Sequence, residues 1–199
     1  MFARLLSTLP PLITAAIYFA ALFDPLALGS ERIRGLIVSV LVEIFILLAV
    51  IVTSASKDDP QPLRRAAMSF AGMCAFGLLF VSFFAMAFDA PWALMSFIWL
   101  SLSAVLPAFL VRANLAGRFS QLQNGAVISV VALVAGIFMA LTALQFTPFG
   151  FTPEALAALD LQAFGTGAFI EKPWTGIASG AFYFSLVALS RAANLRLVG

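Results

Sequence analysis

Apolar residues in this chain collect into six long runs, and polar residues fall almost entirely between them. The runs cover Pro11–Leu28, Gly35–Thr53, Ala66–Phe88, Trp92–Val111, Gly125–Phe146 and Trp174–Ser190. A helix needs about 20 mostly apolar residues to traverse the hydrocarbon of a bilayer. Each run meets or approaches that length. None has the strict alternation of a membrane β-strand, and all are too long and too uniformly apolar for one. The pattern predicts an all-α fold. It reads as a polytopic integral membrane bundle, six transmembrane helices in a single domain over residues 1–199.

The longest connection, Thr147–Pro173, carries its own signal. Thr152-Pro153-Glu154 reads as a helix start, with Thr152 as cap and Pro153 in the first helical position. Leu156, Leu159 and Ala163 then form a short apolar stripe. This predicts a short interfacial helix in the 147–173 loop, lying on the membrane surface and ended by Gly165-Thr166-Gly167. A surface cap over the bundle is its plainer role, and a gate or partner-docking segment is the alternative. Trp92 and Trp174 follow prolines at run ends, where indole rings favour the lipid–water boundary.

The basic residues suggest an orientation. With a cytoplasmic N-terminus, the inner segments hold Arg4, Lys57, Arg64, Arg65, Arg112, Arg118, Arg191 and Arg196, and the outer ones hold Arg32, Arg34 and Lys172. That excess follows the positive-inside bias and predicts both termini in the cytoplasm. The Ser30–Arg34 turn is the one segment that runs against it. Arg4 ahead of an apolar run resembles a secretory leader. No Ala-x-Ala-like site follows, however, so the run is expected to remain as a helix.

Composition narrows the classes further. The chain is 63% apolar and 10% charged, against roughly 25% charged in an average soluble domain. So much apolar surface on a soluble domain would form large exposed patches and aggregate. The net charge of +2 comes from residues at run ends, which argues against a nucleic-acid partner. There is no histidine, so neither an imidazole base nor an imidazole haem ligand is available. Cys74 is the only cysteine, which excludes an intrachain disulfide and a thiolate metal cluster. A P-loop, a dinucleotide fingerprint, a zinc-binding His-Glu helix and a Gly-x-Ser-x-Gly elbow are all missing. The expectation is a protein that is not an enzyme and holds no cofactor. Short loops without sorting motifs point to a bacterial cytoplasmic (inner) membrane.

A few polar groups stand in the wrong solvent for such a bundle. Glu43 lies mid-run in Val40-Leu41-Val42-Glu43-Ile44-Phe45-Ile46. A charged carboxylate at the bilayer midplane costs roughly 2.5–3.5 kcal/mol on insertion scales. No lysine or arginine falls inside any run to neutralise it. Glu43 must therefore carry a proton and a hydrogen bond, or face a hydrated cavity. Ser39, one turn earlier, extends a polar stripe on the same face. Either the stripe binds an ion or substrate, or Glu43 merely bridges helices as a neutral acid.

Asp24, just before Pro25, is a second candidate, set against a simple role at a helix break. Tyr18 and Tyr183, the only tyrosines, fall mid-run, where a buried phenol needs a partner such as Glu43. Asp89 reads as an exposed turn residue. Gly176 and Gly180 form a GxxxG pair, and Gly136 sits in a similar small stripe, which predicts packing of the fifth run against the sixth. A homo-oligomer through the last helix is the weaker alternative. Two functions remain open. One is a small-solute or ion transporter using the midplane carboxylate. The other is an accessory or assembly subunit packed against another membrane protein, without transport of its own. In both, the first partner is the lipid bilayer.

Overall fold

In the computed structural model, the described residues are 2–54, 62–87, 91–110, 115–142, 146, 148–164 and 168–193. All regular structure among them is helical. Helices α1 (Phe2–Phe23), α2 (Pro25–Ser54), α3 (Pro62–Ala87), α4 (Trp92–Leu110), α5 (Leu115–Thr142) and α8 (Pro173–Ala193) are long; α6 (Pro153–Leu159) and α7 (Ala168–Glu171) are short. A 3-10 turn over Leu161–Phe164 lies between the two short ones. Prolines open α2, α3, α6 and α8, where the missing N–H would have had no helical acceptor.

The six long helices overlap the six apolar runs, with shifted limits. The first run was expected to continue to Leu28, but α1 stops at Phe23. Pro25 cannot donate to the preceding turn, and Asp24 begins a new helix by accepting from Ala27 N at 3.2 Å. The expected outer turn Ser30–Arg34 is instead helical and part of α2. Gly29 bends that helix with φ 77° and ψ 166°, a backbone region essentially reserved for glycine. Arg34 is thereby buried, with Nε donating to Ser30 O at 3.2 Å. Among the described residues, Gln123–Thr142 and Pro173–Ala193 are long and apolar enough by themselves to cross a membrane. Ser7–Phe23, Cys74–Phe83 and Ala93–Leu102 are apolar but shorter. Two helices of the spanning kind are thus described where the runs predict six.

Helix α2 is the centre of the bundle. It packs against α1, α3, α4, α5 and α8, and against the short α6. Every residue from 33 to 40 is buried, so no face of this stretch is free. Leu36, Ile37, Val38 and Val40 supply apolar surface on several sides of the helix, and Arg34 and Ser39 bond to main-chain carbonyls within it. Helix α8 lies mainly between α1 and α5. The outward faces of α1, α3, α4 and α5 carry large apolar side chains such as Ile13, Leu79, Phe83, Met95 and Phe138.

The segment from 148 to 164 closes one end. Its tie to α1 follows from the break at Asp24. Leu22 O loses its helical donor there, and Gly150 N supplies one at 3.0 Å. A Cβ on Gly150 would run into the Phe23 backbone carbonyl, so only glycine allows this approach. Phe149 meets the Phe23 ring edge-on at 5.8 Å, and Phe151, Leu159 and Leu161 are buried in the common core. In the expected stripe of α6, Leu159 is buried in the bundle and Leu156 packs partly against it, while the Ala163 side chain lies outside the described residues. Thr152 caps α6 as expected, accepting from Ala155 N at 3.3 Å. The helix ends earlier than expected, at Leu159, with Asp160 in the left-handed conformation. Gly165-Thr166-Gly167 and Asp89 lie outside the described residues.

Candidate functional site

Ser39 and Glu43 lie one turn apart on α2, and both are buried. The Ser39 hydroxyl donates to Gly35 O at 2.7 Å, the usual outlet for a serine inside a helix. Glu43 has no such local outlet, because its carboxyl reaches beyond its own backbone. It meets α8: the Tyr183 phenol donates to Glu43 Oε1. The second oxygen, Oε2, is buried and has no hydrogen-bond partner among the described residues.

Tyr183 is positioned by tight helix contact. Gly136 on α5 sits against Ser179 and Tyr183, and a Cβ there would come within 3.0 Å of Ser179 O. Ser129 of α5 adds a hydroxyl beside the Tyr183 phenol. Ser179 Oγ, one turn before Tyr183, is also buried without a partner among the described residues. Phe184 packs edge-on against Tyr183 at 4.7 Å and tilted against Tyr18 at 5.5 Å, bracing both phenols.

Tyr18, fully buried on α1, donates to Leu36 O at 2.7 Å and lies beside Ser39. Its phenol reaches α2 but is spent on a main-chain carbonyl, not on Glu43. Of the two glycines on α8, Gly180 receives the Tyr18 ring and Gly176 the Phe169 ring. The small-residue face of α8 thus serves α1 and α7, while the contact with α5 is made at Gly136. Asp24 stands apart from this cluster, exposed at the start of α2.

One member escaped the sequence reading. Arg191, in the last turn of α8, lies within electrostatic reach of both Glu43 and Tyr183. Its location follows from Pro11. Proline has no amide hydrogen to close the turn onto Ser7 O, and Arg191 Nη1 donates to that carbonyl at 3.0 Å. A basic residue at a helix end reads most simply as a topology signal, and that reading hid the inward role. The Ser7–Pro11 spacing was the available clue.

The cluster therefore joins one carboxyl, two phenols, three hydroxyls and a guanidinium from α1, α2, α5 and α8. It can hold or release a positive charge at Glu43. Among the described residues no three acidic, cysteine or histidine side chains gather as a metal site. No family model, curated protein or solved structure matches this chain.

Proposed function

We propose that this chain is a six-span membrane protein that moves a small solute or ion across the bilayer, with Glu43 as the carboxylate that binds it. The membrane reading is supported by length and surface. The shortest of the six long helices has 19 residues, about 28 Å at the usual helical rise, close to the hydrocarbon thickness of roughly 30 Å. Phe83, Met86, Met95, Val134 and Phe138 are each more than 60% exposed, which suits lipid and opposes water. The basic residues favour both termini in the cytoplasm of a bacterial inner membrane.

One observation carries the transport reading: an enclosed carboxyl on the central helix with one oxygen bonded to Tyr183 and the other unpartnered among the described residues. A purely structural acid would be expected to have both oxygens matched. The decisive experiment is flux of small ions into phosphatidylcholine vesicles containing the purified protein, compared with Glu43→Gln. Flux in the wild type and its loss in a folded variant are expected. No flux, together with a membrane protein that stays bound in mild detergent, replaces this reading with the accessory one. That alternative draws on the apolar face of α3, where Phe76, Leu79, Phe83 and Met86 are exposed.

A further inference from the structure

Resting on that assignment of Glu43 as the binding carboxylate, we infer that its ligand is the proton, with Arg191 as the counter-charge that takes over when the proton leaves. The donor set decides between a proton and a metal cation. A metal cation needs several oxygen ligands around it. Among the described residues Glu43 is the only carboxyl of the cluster, and one of its oxygens is already held by Tyr183. A proton needs one lone pair and almost no room. Glu43 Oε2 offers that lone pair.

Arg191 is held so that it can answer a change at Glu43. One of its contacts is a neutral main-chain carbonyl, Ser7 O, left open by Pro11. With Glu43 protonated, the acid is neutral and Arg191 rests on α1. When the proton leaves Oε2 for water, the carboxylate and guanidinium balance each other. The proton returns by the reverse step, and no other bond is made or broken.

The remaining groups leave this pair in charge. Among the described residues, Tyr18 from α1 and Tyr183 and Arg191 from α8 act on or with Glu43, and α2 itself carries Glu31, Arg32 and Arg34 nearer its start. Helix α4 has no titratable residue, and α5 has only Arg118 near its start. Helix α3 brings Arg64, Arg65 and Cys74, and α6 brings only the exposed Glu154.

Infrared titration of the full-length protein in phosphatidylcholine vesicles tests the idea without requiring transport. The chain has nine acidic residues, so the wild-type spectrum is compared with that of Glu43→Gln at each pH, and the difference should contain a protonated-carboxyl band that grows as pH falls. In Arg191→Gln the midpoint should move to higher pH by about one unit or more, because a nearby cation favours the carboxylate. Arg191→Lys should restore most of the original midpoint. A midpoint indifferent to Arg191→Gln, or a band that sodium ions remove at constant pH, overturns the inference. A titrating Glu43 in a protein without flux keeps this inference and removes transport. Flux lost in Glu43→Gln without any titration does the reverse.

Discussion

The ring of Tyr18 lies directly against the bare Cα of Gly180, joining α1 to α8 at the middle of the bundle. A Cβ at 180 would bring three Tyr18 ring atoms closer than 3.0 Å. The ring cannot retreat easily, since it is fully buried and its hydroxyl is fixed on Leu36 O. Gly180→Ala should therefore destabilise the protein by about 1–3 kcal/mol, the usual penalty of overpacking. Pairing it with Tyr18→Leu should lose less than the sum of the two single changes. Thermal unfolding in mild detergent measures both. A Gly180→Ala protein as stable as the wild type would show that the helices part there without penalty.

Tyr183 and Glu43 form the corresponding link between α8 and α2. Tyr183→Phe removes the donor and leaves both carboxyl oxygens without a described partner. Hydrogen bonds between helices in lipid contribute about 0.6 kcal/mol on average and up to about 1.7 kcal/mol. The orphaned acid places this one near the upper value. Glu43→Leu alone should be better tolerated than Tyr183→Phe, because a lone phenol is less difficult to bury than a lone carboxyl. A double-mutant cycle should give a coupling of about 1 kcal/mol or more. Additive effects would mean that the bond contributes nothing to stability.

The cap segment has a predictable response to acid. Glu154 is held below the ordinary glutamate value by hydrogen bonds to its own backbone N–H and then to the Thr152 hydroxyl. A lowered folded value means that the carboxylate supports α6 fully above the ordinary glutamate range. That support disappears as pH falls through the lowered value. Amide protection at Ala155 and Leu156, taken relative to the intrinsic exchange rate at each pH, should fall over that acidic window while the long helices remain protected. Thr152→Ala should reduce this pH dependence without abolishing it, because the cap to Ala155 N and one hydrogen bond to Glu154 are lost while the backbone hydrogen bond to Glu154 remains. Unchanged protection in acid would separate Glu154 from the cap.

What could be read from the sequence depended on whether a signal was local. Glu43 stood out because one acid in an apolar run is visible without any knowledge of neighbours. The mid-run tyrosines were visible for the same reason, and Tyr183 does meet Glu43. Which helix each residue faces is a tertiary fact, absent from periodicity. Gly180 thus looked like a contact for the fifth run, although it receives Tyr18. Arg191 was hidden because a charge at a helix end has a simpler explanation. Asp24-Pro25 was seen as a break but placed too late, since the apolar Leu26-Ala27-Leu28 that follows extended the run. The inward packing of Phe151 and Leu161 depends on a carbonyl freed at Leu22, which no composition signal reveals.

Trp99 and Trp174 offer a direct test of what surrounds the bundle. Trp99 is 41% exposed on α4, beside the outward Met95, Ile98 and Leu102, with Nε1 donating to Thr14 Oγ1 at 2.9 Å. That bond turns the polar edge inward and leaves the apolar part of the indole facing out. Trp174 is buried at the start of α8. Two variants isolate them: Trp92→Phe with Trp174→Phe keeps Trp99, and Trp92→Phe with Trp99→Phe keeps Trp174. In vesicles of lipids brominated along the acyl chain, Trp99 fluorescence should be quenched several-fold more than that of Trp174. A water-soluble quencher should affect neither strongly. Strong quenching of Trp99 by the aqueous agent, with none by the brominated chains, would put water at this face and remove the membrane reading.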